Sequence, residues 1–111
     1  MYQIISEQSI YQYFGDDDPE MTKEMLQIIL DTNIRELKEL DKFYGLKDFE
    51  TIKKRCHKAK PTMSYIGAMK SRKILEEIEK DIESSEELNS ILQEQLDLIT
   101  LELNKFIETI K

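Results

Sequence analysis

Residues 49–66, FETIKKRCHKAKPTMSYI, place an apolar side chain at alternating intervals of three and four positions. The positions in this series are Phe49, Ile52, Cys56, Ala59, Met63 and Ile66. Such spacing brings all of them to one side of an α-helix, which can then bury that side against other helices. Asp48 precedes the series as a plausible N-cap, and Gly67 interrupts the pattern after it. The stretch therefore predicts a long amphipathic helix.

The segment before this helix predicts a second long helix. Asp18 is in the position of an N-cap, and Pro19 is in that of the first helical residue. Apolar side chains then recur at three- and four-residue steps along the segment. Gly45 suits a left-handed cap at its end. Further upstream, residues 4–14 predict at best a short extra helix.

The segment after Gly67 predicts two more helices. One continues through residues 68–82, and Ser84 with Glu87 forms a capping-box pattern at the start of the last. Four amphipathic helices with short connections predict an all-α fold, an antiparallel up-and-down four-helix bundle with a short extra N-terminal helix. A length of 111 residues fits a single domain over residues 1–111.

Composition and charge limit the classes of function. The formal net charge is −7, which argues against non-specific binding to nucleic acid or to anionic membranes. The apolar runs are too short for a membrane span, and the N-terminus lacks the pattern of a secretory signal. Cys56 is the only cysteine and cannot form an internal disulfide, so a cytoplasmic location is expected. A monomer is expected, because four helices can enclose their own core.

His57 is the only histidine, so any imidazole chemistry must use it. On a regular helix it lies about 130° from the centre of the apolar series, and its ring is expected to face solvent. Lys53 lies one turn before it and Lys60 one turn after it, with Ser64 continuing the same side. These four residues predict one continuous exposed face.

Basic residues are concentrated around His57 in an otherwise acidic chain. They are Lys53, Lys54, Arg55, Lys58 and Lys60. A neutral imidazole nitrogen is a nucleophile, and cations beside it can neutralise the charge of a phosphoryl group. The same cations would steer an acidic partner surface towards this face. Cys56 is interpreted as a small core residue, and a Cys56–His57 metal site is not predicted because adjacent helical residues diverge.

The stretch His57–Ala68, HKAKPTMSYIGA, resembles the phosphorylation-site signature of histidine-containing phosphotransfer (HPt) domains. That signature has a histidine, a lysine three positions later and a glycine ten positions later. His57, Lys60 and Gly67 match it in type and spacing. The segment 15–40, with its Asp-Pro start and long amphipathic helix, is also similar to the corresponding part of the family.

The resemblance implies a phosphorelay carrier without kinase activity of its own. His57 would accept a phosphoryl group on Nε2 from the aspartate of a response-regulator receiver domain, or of a hybrid sensor kinase, and pass it on. Lys60 would offset phosphoryl charge, and Gly67 would form the turn between two helices. The receiver would bring Mg²⁺ and most catalytic groups, so no cofactor or metal is expected on this chain. The residues expected to take part in docking are Lys53, Lys58, Ser64 and Gly67.

Pro61 departs from the family pattern, which usually has glycine or serine after the lysine. A proline inside a helix removes a hydrogen bond and crowds the carbonyl four residues back, here that of His57. The sequence therefore predicts a kink beside the site and argues against a regular helix over residues 57–64.

Two other functions fit part of the pattern. The phosphoacceptor bundle of a sensor histidine kinase also displays a histidine on a helix, but it usually has an acid directly after the histidine and a proline five positions on. Here Lys58 follows, and Pro61 comes four positions on. A glycine-rich phosphate loop cannot be built from the three glycines, so ATP binding is not predicted. The other alternative is a non-catalytic helical interaction module in which His57 is incidental.

Overall fold

The computed structural model describes residues 2–110, and within that range it contains helices and connections but no strand. The all-α prediction is confirmed. The α-helices are α1 (Glu7–Phe14), α2 (Pro19–Ile29), α3 (Arg35–Lys38), α4 (Leu40–Gly45), α5 (Phe49–Tyr65), α6 (Met69–Lys80) and α7 (Glu86–Thr109). The predicted single domain has its limits at residues 1 and 111, which lie outside the described residues.

Helices α2, α3 and α4 follow one another almost without a break, where the sequence predicts one long helix. The predicted start is confirmed: Asp18 Oδ1 accepts a hydrogen bond from the backbone N–H of Met21 at 3.1 Å, and Pro19 is the first helical residue. The continuity is interrupted by a π-helical turn at Leu30–Ile34 and by a break at Glu39. A π turn inserts an extra residue, which rotates the buried side of the helix after it.

The predicted left-handed cap at Gly45 is wrong, because Gly45 is still the last helical residue of α4. The positive φ of 57° belongs to Lys47. The N–H of Asp48 bonds to the carbonyl of Phe43 at 2.9 Å, and that of Lys47 bonds to the carbonyl of Tyr44 at 3.1 Å. This pair of bonds is a Schellman motif with a lysine in the position that usually holds glycine.

The connection at Gly67 is confirmed as the turn between α5 and α6. Gly67 has φ +74°, and the N–H of Ala68 bonds to the carbonyl of Met63 at 2.8 Å. A Cβ added at Gly67 would clash with the Cβ of Ser6 and approach Ser9 Oγ to 2.9 Å. Glycine is therefore required at this position for two reasons: the positive φ of the turn, and the close approach of the N-terminal segment, which leaves no room for a Cβ.

The capping box predicted at the start of the last helix is wrong. Residues Ile82–Ser84 form a 3₁₀ turn, and α7 begins at Glu86 with Ser85 in the N-cap position. The Ser85 side chain makes no capping bond to α7. Its hydroxyl is buried and bonds instead to the carbonyl of Ile82 at 2.6 Å and to the hydroxyl of Tyr44.

The core forms where the apolar sides of the helices meet. Helix α5 packs along α6, α6 packs on α7, and the α2–α4 segment contacts both α5 and α7. The predicted apolar series of α5 faces this core: all its members are buried except Phe49, which is partly buried and packs against the core. The largest fully buried side chains include Leu26, Ile34, Leu37, Ile52, Met63, Leu75, Ile78, Leu92 and Phe106.

The N-terminal segment is tied to α7 by a buried carboxylate. Glu102 Oε2 accepts the N–H of Gln3 at 2.7 Å, and Oε1 accepts those of Ile4 and Ile5 at 3.0 Å each. Burial alone would raise the pKa of Glu102, but the three backbone donors outweigh it and lower that pKa below its ordinary value. Helix α1 begins at Glu7, later than the predicted residue 4, because residues 3–5 are held in this contact.

Candidate functional site

His57 lies on the solvent side of α5. Its side chain is 74% exposed, whereas the neighbouring positions Cys56 and Ala59 are buried in the core. The predicted orientation of the ring is confirmed. Both ring nitrogens of an imidazole can then take part in chemistry at the surface, depending on what surrounds each of them.

A carboxylate from the next helix faces the ring. Glu79 lies in the last turn of α6, with Oε2 at 3.6 Å from His57 Nδ1 and Oε1 at 3.0 Å from Lys60 Nζ. The side chains of Glu79 and Lys60 are only 16% and 20% exposed. One carboxylate thus contacts both the imidazole and the ammonium group that the sequence singles out.

Glu79 is the member of the site that sequence reasoning missed. A glutamate near the end of an amphipathic helix is ordinarily surface charge. The turn at Gly67 is the sequence signal that could have found Glu79. His57 lies ten positions before this turn and Glu79 twelve positions after it, on two helices that pack together. Residues at similar sequence distances before and after a tight turn between antiparallel helices lie at similar positions along the helix axes, so they can face each other.

The predicted continuous exposed face is wrong for two of its four residues. Lys53 and His57 are exposed, but Lys60 and Ser64 lie in the seam between α5 and α6. The Ser64 hydroxyl accepts a hydrogen bond from the guanidinium of Arg72 on α6. The error arises because Lys60 and Ser64 are rotated from His57 towards the side of α5 on which α6 packs.

The basic cluster around His57 is largely neutralised by acidic neighbours. The ion pairs are Lys54–Glu50 at 3.4 Å, Arg55–Glu39 at 2.8 Å, Lys58–Glu36 at 3.5 Å and Lys60–Glu79 at 3.0 Å. Of the five cations, Lys53 alone has no acidic partner within residues 2–110. These pairs cancel much of the local positive charge that the sequence predicts, and the fully exposed one, Lys54–Glu50, contributes little stability.

Helix α5 continues through Pro61, so the expectation that residues 57–64 do not form a regular helix is wrong, and the expected kink beside the site stays a prediction. The α-helix extends from Phe49 to Tyr65 with the proline inside it. Pro61 is exposed, and the carbonyl of His57 that it leaves without a donor lies on the side of the helix open to water. Because both residues are exposed, water can reach that carbonyl.

Cys56 belongs to the core beneath the site. Its side chain is fully buried, which confirms the interpretation as a core residue. Burial, and to a lesser degree the nearby charge of Glu79, raises the pKa of the Cys56 thiol to about 12, while Lys60 acts in the opposite direction. The thiol therefore stays protonated and contributes no nucleophile.

An open depression of about 440 Å³ adjoins the Lys60–Glu79 pair and is bounded also by Glu76 and Lys80.

Among residues 2–110, no group of three or more histidine, cysteine or acidic side chains is arranged to hold a metal ion. No helix in this part of the chain is both long and apolar enough to cross a membrane.

No family model matches the chain, and no curated protein or solved structure matches it.

Proposed function

We propose that the protein is a histidine-containing phosphotransfer module that carries a phosphoryl group on His57. The observation that supports this most directly is an imidazole that stands 74% exposed on a long helix while its Nδ1 faces a carboxylate. An exposed ring offers a second protein access to Nε2. The spacing of His57, Lys60 and Gly67 that resembles the family signature supports the same function.

We propose the matching architecture, an antiparallel up-and-down four-helix bundle with an extra N-terminal helix. Its first helix would be the α2–α4 segment, followed by α5, α6 and α7, and α1 would cover one end. Support comes from the short connections between successive helices and from the packing of α5 on α6 and of α6 on α7.

The proposed partner is a response-regulator receiver domain, free or as part of a hybrid sensor kinase. The receiver would contribute the phosphorylated aspartate, the Mg²⁺ ion and most catalytic groups, so the module needs neither a cofactor nor kinase activity. Lys53 and Lys58 would meet an acidic rim of the receiver, since both are exposed near His57. Docking roles for Ser64 and Gly67 stay predictions, and both residues contact other parts of this chain.

Lys60 would offset the charge of the phosphoryl group, as the resemblance implies. Because its ammonium group is paired with Glu79 at 3.0 Å, it must share or exchange this partner when the phosphoryl group arrives. We further propose a monomer in the cytoplasm that does not bind nucleic acid, in keeping with a single cysteine and a net charge of −7.

The test is phosphorylation of the chain by a phosphorylated receiver and by phosphoramidate, a small donor that needs no cognate partner. We expect a label that is stable to alkali and labile to acid, and we expect it to be absent in the His57→Gln variant. The matched control is Glu50→Gln, a change on the same helix that removes only an exposed pair with Lys54 and should retain the label.

Label that persists in His57→Gln would exclude His57 as the carrier. A folded wild-type protein that neither donor labels would favour a helical interaction module instead. Label acquired from ATP alone would indicate a fragment of a sensor kinase.

A further inference from the structure

Helix α7 has a second series of regularly spaced side chains on the side that faces away from the core. Its inner side consists of fully buried residues, namely Leu92, Leu96, Ile99, Leu103 and Phe106. On the other side, at steps of three and four residues, lies what we call the outer stripe: Ile91, Glu94, Leu98, Leu101 and Lys105. Ile91 is 45% exposed, Leu101 is 52% exposed, and Leu98 is partly exposed. This is the spacing of a helix that packs along a second helix.

The two leucines of the outer stripe line an open depression of about 540 Å³. The N-terminal segment forms the opposite wall, with Tyr2, Gln3 and Glu7. The bonds from Glu102 hold this segment against α7, so the depression belongs to the folded surface. A large apolar side chain from another molecule has room to insert here, and it would remove both leucines from water.

The charges that flank the two leucines have opposite signs. Glu94 lies one turn before Leu98, and Lys105 lies one turn after Leu101. Both charged side chains are exposed, and neither forms an ion pair within residues 2–110. The steps between these four residues are four, three and four, which is the same order in both directions along the helix.

This symmetry makes the outer stripe complementary to a second copy that lies antiparallel to it. Glu94 of each copy then faces Lys105 of the other, and Leu98 of each copy faces Leu101 of the other. Each of these contacts occurs twice, as in any two-fold interface. A parallel arrangement would place glutamate against glutamate and lysine against lysine, which like-charge repulsion disfavours.

We propose that the outer stripe of α7 is a docking surface for a second copy of this chain, bound antiparallel about a two-fold axis between Leu98 and Leu101. Leu101 of each copy inserts into the depression of the other. The interface is small, with three apolar side chains from each copy, so we expect a weak dimer with a dissociation constant on the order of 0.1 mM. The monomer proposed above is then the main form in dilute solution.

The dimer leaves His57 accessible. Helix α6 and the α2–α4 segment each pack against both α5 and α7, so α5 and α7 lie on opposite sides of the helical assembly. The second copy therefore binds far from the helix that carries His57, and each copy keeps its own imidazole exposed. The inference goes beyond the phosphocarrier function and does not depend on it.

Sedimentation velocity from about 10 µM to about 1 mM, a range that spans the expected dissociation constant, tests the proposal. The wild-type protein should pass from monomer to dimer over this range. Leu101→Glu should weaken association about tenfold or more, because it places a charge in the apolar centre of the interface. The matched control is Ile28→Glu, since Ile28 is also 52% exposed but lies on α2, and this change should leave association unaltered.

Exchange of the two charges tests the antiparallel orientation. Glu94→Lys alone should weaken association about tenfold, because two attractive pairs become repulsive at once. Addition of Lys105→Glu to this variant should restore association to the wild-type level, since both pairs are then attractive again with their signs reversed. In a parallel dimer the single substitution would have no such effect, because lysine would replace glutamate on both sides of one repulsive contact.

Wild-type protein that stays monomeric at about 1 mM would overturn the proposal and would leave the outer stripe to a helix of another protein or to solvent. Association that survives Leu101→Glu would place the contact on a different surface and would overturn it as well. A double variant that associates as weakly as Glu94→Lys would overturn the antiparallel orientation. Circular dichroism checks that each variant is folded, and loss of labelling at His57 would leave the proposal intact.

Discussion

Replacing Glu102 by glutamine is expected to lower the free energy of unfolding by about 3 kcal/mol, the scale of losing charge-assisted hydrogen bonds to buried donors. Glutamine keeps only one oxygen, and its NH₂ group replaces the other. That NH₂ group is a donor and would face either the N–H of Gln3 or the N–H groups of Ile4 and Ile5, which need an acceptor. Urea unfolding at pH 7 measures the difference. Glu108→Gln, at an exposed position of the same helix, is the control and should change stability by less than about 0.5 kcal/mol.

The contribution of Glu102 should also depend on pH in a defined direction. Its pKa in the folded protein is lowered from the ordinary value of 4.5, so the unfolded chain takes up this proton first as the pH falls. The stabilisation is therefore complete above that ordinary value and is lost as the pH falls through the lowered folded pKa. The stability difference between wild type and Glu102→Gln should shrink in this acidic window. Equal stability of the two proteins at pH 7 would contradict the role of the carboxylate.

Replacing Gly67 by alanine is expected to destabilise the protein by about 3 kcal/mol, or roughly 12 °C or more in Tm. About 1–2 kcal/mol comes from the left-handed backbone, with φ +74°. The remainder comes from the new methyl group, which would clash with Ser6 and push Ser9 and α1 away from the turn. Thermal unfolding by circular dichroism measures the shift.

Gly45→Ala is the matched control for this substitution. Gly45 has no positive φ, and a Cβ there would meet no atom within 4 Å. Alanine at this helical position should therefore be neutral or stabilise by up to about 1 kcal/mol. Equal losses at the two glycines would show that the approach of α1 to Gly67 does not matter for stability.

Features that depend on spacing along one helix could be predicted from the sequence. The apolar series of α5 fixes which side is buried, and from that side the exposure of His57 follows. The N-caps at Asp18 and Asp48 can also be predicted, because an N-cap depends only on the capping residue and on the first turn of its own helix. The turn at Gly67 can be predicted in the same way, because the glycine interrupts the apolar series of its own helix.

Features that depend on contacts between helices could not be predicted in this way. Glu79 and Glu102 are residues of a type that usually lies in water, and their surroundings are set by partners far along the chain. Helical spacing predicts which side of its own helix a residue lies on, but it does not predict how the neighbouring helix is rotated. The sequence therefore predicts Lys60 on the surface, whereas it lies in the seam between α5 and α6. The sequence does not predict the cap at Lys47, because a lysine rarely adopts positive φ.

The attachment of residues 3–5 to Glu102 has a consequence for the order of folding. These bonds join positions that are 97 to 99 residues apart, so they close a loop that contains nearly the whole chain. The entropy of such a closure is recovered only after the intervening helices have associated, whereas turns such as that at Gly67 form from neighbouring residues. We therefore expect the N-terminal segment to dock late in folding, after the other helices have packed together.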